Sequence, residues 1–103
     1  MKFIKIGVHT EEFRTSPPAN LAELTESHVA WLERQKKAGK LLEAYYLPET
    51  GRSISIWEFE SAEEIDRHFR DDPLWWTFVW ELYPAADLLE HIKYYMENYM
   101  PKT

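Results

Sequence analysis

The side chain best placed to do chemistry in this sequence is His28, which falls on the inward stripe of a segment running from Leu21 to Ala38. Leu21, Leu24, His28, Trp31, Leu32 and Gln35 recur at the spacing of one helical face, so the imidazole is directed at the core between tryptophan and leucine. Histidine is the side chain whose ordinary pKa lies nearest neutrality, and one held in an aromatic pocket is suited to moving a proton. The competing reading of the same pattern is a hydrogen-bonded core histidine with no reactive role.

A histidine base needs a partner to orient it. Three strand carboxylates offer themselves: Glu43, Glu58 and Glu81. Glu58 shares a strand face with Ile54 and Ile56, a charge on an apolar side, which singles it out, and Glu43 is next. Tyr45 shares a face with Glu43 and is a candidate donor to a developing oxyanion. Arg14, with Arg52 behind it, is a candidate for pairing with a substrate carboxylate. Trp31, Trp57, Trp76 and Trp80 are candidates for the walls of a cavity that takes a flat substrate, since large rigid rings line apolar pockets efficiently. Metal chemistry is not indicated: His9, His28, His68 and His91 form no His-x-x-x-His or similar pair. There is no Gly-rich phosphate loop and no Gly-x-Ser-x-Gly elbow, so no cofactor is expected.

The elements that must position these groups can be read along the chain. Phe3 to His9 alternates as a strand, with Ile4, Ile6 and Val8 on one face and Lys5, Gly7 and His9 on the other. Thr10 to Ala19, with Pro17-Pro18, reads as a loop long enough to act as a lid. Asn20 with Glu23 predicts the N-cap of the first helix, and Gly39 its stop. Leu41–Leu47 and Ser53–Phe59 are β-prone runs joined by hairpin chemistry at positions 48–52. Ser61-Ala62-Glu63-Glu64 opens a second helix with Ala62, Ile65 and Phe69 inward, ending before Asp71-Asp72-Pro73. A fourth strand follows at Val79–Tyr83. Asp87 opens a last helix, about 87–100, whose stripe of Leu88, Leu89, Ile92, Tyr95, Met96 and Tyr99 needs something to cover. The order βαββαβ plus a C-terminal helix predicts an α+β, ferredoxin-like domain spanning 1–103. Because the strands are apolar on both faces, back-to-back packing with an identical sheet is expected, hence a homodimer or higher homo-oligomer.

Composition narrows the partners. The chain has 103 residues, a net charge of -6 and no cysteine, which excludes thiolate catalysis, disulfides and Cys-based zinc sites and argues against a nucleic-acid or anionic-membrane surface. Its N-terminus has no apolar h-region and no span near twenty apolar residues occurs, so a cytoplasmic protein with a small-molecule substrate is expected.

These residues carry a resemblance. The stretch from His28-Val29-Ala30-Trp31-Leu32 to Lys37-Ala38-Gly39-Lys40-Leu41 looks like the dimeric α+β-barrel superfamily. The run Ser55-Ile56-Trp57-Glu58-Phe59-Glu60-Ser61-Ala62-Glu63-Glu64, followed by Asp72-Pro73-Leu74 and Trp76, is similar to the muconolactone isomerase family, and the likeness covers most of residues 3 to 90. It implies a cofactor-free proton shift on a small unsaturated lactone, with the base on the first helix. Where that family holds a glutamate, this chain has His28. The related methylmuconolactone methylisomerases use histidine there, together with cysteines that this chain lacks. The same superfamily includes cofactorless monooxygenases and polyketide cyclases, and a dimeric module that only binds small molecules is a third expectation. The last helix is expected across the partner subunit.

Overall fold

The computed structural model describes residues 1–101, so the expected span of 1–103 includes two positions, 102 and 103, outside the described residues. The chain is mixed α+β. Strand β1 (Lys2–His9) leads through a short helix α1 (Glu11–Thr15) to the long helix α2 (Leu21–Lys37). Strands β2 (Leu41–Leu47) and β3 (Arg52–Glu58) form the hairpin, helix α3 (Ala62–Asp71) crosses back, and a 3-10 turn at Trp75–Thr77 delivers β4 (Phe78–Pro84) and helix α4 (Leu88–Asn98). The four strands make one antiparallel sheet in the order β2-β3-β1-β4.

Register decides which side chains meet the helices, because neighbours along a strand point to opposite faces. Phe3, Lys5, Gly7 and His9 of β1 share a face with Ser55 and Trp57 of β3 and with Phe78, Trp80 and Leu82 of β4. The core lies on that side: Trp31, Leu41, Trp57 and Phe59 form its centre, with Phe3, Leu32, Ile65 and Leu82 packed around them. The opposite face carries Ile4, Ile6, Val8, Ile54 and Ile56, flanked by Tyr45, Val79 and Tyr83, each of these last three more than half exposed.

Helix α2 buries the face its spacing predicts: Trp31 is buried, and Leu21, Leu24, His28, Leu32 and Gln35 are half-buried. It ends as expected at Gly39, whose φ of 77° suits a residue without a Cβ. The expected Asn20 cap does not form. Asn20 lacks the extended backbone that a capping side chain requires, and the carbonyl of Pro18 takes the Leu21 N–H instead, at 3.1 Å. Nor is Thr10 to Ala19 all loop, because Thr10 caps α1 by accepting from the Phe13 N–H at 3.1 Å. In α3, Ser61 accepts from the Glu64 N–H as its motif predicts. Ala62, however, is exposed, and the inward face comprises Ile65, His68 and Phe69. Asp87 caps α4 by accepting from the Glu90 N–H, yet every residue of α4 is exposed, including the apolar stripe.

Candidate active site

Three elements bring four titratable side chains into the layer between helices and sheet. Lys5 comes from β1, His28 from α2, and His68 and Asp72 from α3 and the residue that ends it. His28 Nδ1 lies 2.7 Å from Asp72 Oδ1. A carboxylate can only accept here, so Nδ1 carries the hydrogen, and Nε2 of a neutral ring is left with its lone pair. Asp72 Oδ1 also accepts from the Leu74 N–H at 2.9 Å, which fixes the carboxylate within the turn at Pro73. Asp72 is 1 % exposed and His28 18 %, so the base reaches the edge of the layer while its orienting partner stays dry. This is the arrangement in which a buried carboxylate holds an imidazole in one tautomer and stabilises the imidazolium formed on proton uptake.

Burial by itself would raise the Asp72 carboxyl. The hydrogen bonds from His28 and Leu74 and the charges of His28 and Lys5 outweigh it and hold the group below its usual range. Asp72 Oδ2 and Trp31 Nε1 are buried without a hydrogen-bond partner among the described residues, an acceptor and a donor both unspent in one core.

Beneath this dyad lies a buried amine. Lys5 is 3 % exposed, and its Nζ donates to His68 Nε2 at 2.8 Å. The ammonium sits 3.9 Å from the centre of the Trp80 ring and within 6 Å of the rings of Trp31, Trp57 and Phe69, a box of aromatic faces that suits a cation. Gly7 makes the box possible. It is the cross-strand neighbour of Trp80, and a Cβ there would collide with the indole that lies over it. Burial lowers Lys5 to about 8, against the opposing attraction of Asp72. Burial and then the charge of Lys5 push His68 down to about 3, so this imidazole is neutral and accepts through Nε2. Trp31 joins the two halves of the site, its ring lying against both His28 and His68.

Of the residues singled out from the sequence, His28, Trp31, Trp57 and Trp80 come together here. Glu58, Glu43 and Tyr45 do not, and Asp72 orients His28 in their place. Glu58 does share a face with Ile54 and Ile56, but that face points away from α2, and its carboxylate pairs with the N-terminal ammonium at 2.6 Å. Glu43 accepts from the Tyr45 hydroxyl at 3.0 Å on the same outer face. Glu81 lies on that outer face too, opposite Ile6, where it accepts from the Tyr83 hydroxyl. Arg14 is exposed on α1 and Arg52 exposed at the hairpin. Trp76 is half-exposed at the 3-10 turn, where it lines a cleft with α1 and not the Lys5 box.

Sequence reasoning missed Lys5, His68 and Asp72. A signal existed for each: Lys5 lies on the strand face that also holds Gly7, and both His68 and Asp72 continue the helical spacing from Ile65. Among the described residues no three His, Cys, Asp or Glu side chains gather as a metal-binding group, and no helix is long and apolar enough to cross a membrane. No protein-family model and no curated protein matches this chain.

Proposed function

We propose that this protein is a cofactor-independent isomerase of the muconolactone isomerase type, which moves a proton on a small unsaturated lactone or related carbonyl compound. The observation that carries the reading is the His28–Asp72 pair: a base on the edge of the layer, oriented at 2.7 Å by a carboxylate that water does not reach. In this reading His28 Nε2 removes the proton next to a carbonyl, Asp72 stabilises the imidazolium, and the proton returns at another carbon of the conjugated system. Asp72 thereby takes the role expected of Glu58 or Glu43. The Lys5 ammonium, whose charge is felt at Asp72, favours the anionic intermediate electrostatically.

The working form in this reading is a homodimer with a ferredoxin-like, dimeric α+β-barrel architecture. Two features support it. The outer sheet face carries a central cluster of Ile4, Ile6, Val8, Ile54 and Ile56 with carboxylates around it, and α4 extends its own apolar stripe without cover from the described residues of this chain. The radius of gyration is 17.3 Å, whereas a compact chain of this length has about 13 Å. A second copy supplies cover for both surfaces.

The test is turnover of muconolactones and polyphenolic polyketides by the wild-type protein and His28→Gln, with and without oxygen. Oxygen-independent isomerisation that disappears in His28→Gln supports the proposal. Oxygen-dependent turnover replaces it with the cofactorless monooxygenase reading. Binding without turnover leaves a dimeric binding module.

A further inference from the structure

We propose that the groove between α2 and α3 is a second binding site, which takes a small carboxylate the size of one six-membered ring and holds it by the Arg67 guanidinium and the Nδ1–H of His68. The site stands independently of the isomerase reading. Trp31 separates the two: His28 lies about one turn before it on α2, whereas Gln35, about one turn after it, lines the groove and His28 does not. The floor is made by Trp31, Phe59 and His68, all buried, with the rings of Trp31 and Phe59 each centred 5.0 Å from the imidazole. Its volume is about 160 Å³. An apolar cavity of roughly 150 Å³ accepts a benzene ring, so the space suits one flat ring laid on the aromatic floor.

The floor also presents a hydrogen-bond donor. Lys5 Nζ donates to His68 Nε2 at 2.8 Å, and a neutral imidazole that accepts at Nε2 carries its hydrogen on Nδ1. Burial and the Lys5 charge, which push the His68 pKa down to about 3, keep the ring neutral and the donor in place through the neutral range. The Nδ1–H has no hydrogen-bond partner among the described residues, and it is not sealed in the core as Trp31 Nε1 and Asp72 Oδ2 are. It is therefore free where His68 meets the groove. The ammonium behind the ring polarises it and makes Nδ1–H a stronger donor, which favours an anionic acceptor.

The charges around the rim select the same ligand. Lys40 and Arg67 are balanced there by Glu64 and Asp71, and the buried Lys5 ammonium behind the floor leaves the surroundings positive. Glu64 is already engaged, by Lys40 at 2.8 Å and by the Glu60 N–H at 3.0 Å. Asp71 is exposed at the edge. Arg67, next to His68 on α3, makes no ion pair among the described residues. A guanidinium binds a carboxylate through two parallel N–H bonds, so the unpaired Arg67 and the His68 donor together suit a carboxylate projecting from a ring on Trp31 and Phe59. A cationic ligand would leave Arg67 unpaired and meet the field of Lys5.

Benzoate is the probe, and its titration into wild type, Arg67→Gln and His28→Gln, followed by indole and imidazole nitrogen NMR, requires no turnover. Saturable binding to the wild type is expected with Kd of about 1 mM or below, shifting the Trp31 indole and His68 Nδ1 signals. Arg67 is exposed, so Arg67→Gln should keep its circular dichroism while Kd rises about tenfold or more. In His28→Gln the Kd should stay within about twofold of wild type, and benzyl alcohol, with the same ring and no charge, should bind the wild type about tenfold or more weakly. No saturation by about 10 mM benzoate overturns the proposal, as does equal affinity in Arg67→Gln and wild type. Binding lost in His28→Gln and kept in Arg67→Gln also overturns it, because the carboxylate then sits at His28. Lactone turnover by a wild type that ignores benzoate removes the groove alone, and benzoate binding without any turnover removes the isomerase reading alone.

Discussion

His28 and Asp72, 44 positions apart in sequence, meet at 2.7 Å across the junction of the long helix with the turn that ends α3. The contact ties a half-buried histidine of the helix to a fully buried carboxylate, and Asp72→Asn isolates its value. The amide keeps the shape and still accepts from Nδ1, but it cannot stabilise an imidazolium by charge. Expected is a kcat lower by about tenfold to 10³-fold with KM little changed, measured on a substrate that the wild type isomerises. Equal kcat in the two proteins would mean that Asp72 is only a structural cap on the turn.

The outline of the fold was legible because it rests on local rules: alternation in β1, the 3.6-residue stripe of α2, and the Ser61 and Asp87 caps. His28 could be found for the same reason. Its partner could not, since choosing between Asp72 and Glu58 depends on which face of the sheet the helices cover, and both faces are apolar. The sequence pattern of Ile4, Ile6 and Val8 resembles a core face more than that of Lys5 and Gly7 does. The buried side is nevertheless the one with the lysine, because Gly7 admits Trp80 and the aromatic rings then surround the ammonium. A five-residue helix such as α1 is too short to show a period, which is why a lid-like loop was expected there.

Lys5 makes stability depend on pH at the alkaline end. Its folded pKa of about 8 lies below the 10.5 of the unfolded chain, so between these values the unfolded state holds more protons and stability rises with pH. Below about 8 both states are protonated and the full cost of burying the charge is present. The Lys5 contribution should therefore improve by about 3 kcal/mol from pH 8 to 10.5. Urea unfolding of wild type and Lys5→Met across that range checks this, the difference between the two proteins shifting in favour of the wild type as pH increases. A constant difference would show that the amine is solvated.

His68 acts at the other end of the scale. Its pKa falls from 6.5 unfolded to about 3 folded, so the unfolded state again holds more protons, and stability is fully present above about 6.5 and lost as pH falls toward 3. Between pH 6.5 and 4.5 the wild type should lose about 2–3 kcal/mol that His68→Leu does not lose. Parallel acid profiles for the two proteins would count against a neutral, buried His68.

Gly7 is the residue on which the aromatic box closes. Gly7→Ala forces the Trp80 ring away from β1, and with it the face that lies 3.9 Å from the Lys5 ammonium. Expected is a loss of about 1–3 kcal/mol from overpacking, together with a change in tryptophan fluorescence. An alanine accepted without cost would mean that Trp80 has room to move and that the box is not rigid.

The two uncovered apolar surfaces give the assembly prediction. Ile6 and Ile54 are cross-strand partners at the centre of the outer sheet face, far from the His28 side of the sheet. If a second copy covers that face, Ile54→Lys places a charge in the interface and the protein should sediment as a monomer at concentrations where the wild type is a dimer, with its circular dichroism preserved. Removing α4 after residue 86 tests the second surface. Should the helix reach across to the partner, truncation weakens the dimer by tenfold or more in Kd, because its exposed stripe of Leu88, Leu89, Ile92, Tyr95, Met96 and Tyr99 carries apolar area that only association can bury. A wild type that sediments as a monomer at all concentrations would remove both expectations at once and assign the sheet face and α4 to a different partner.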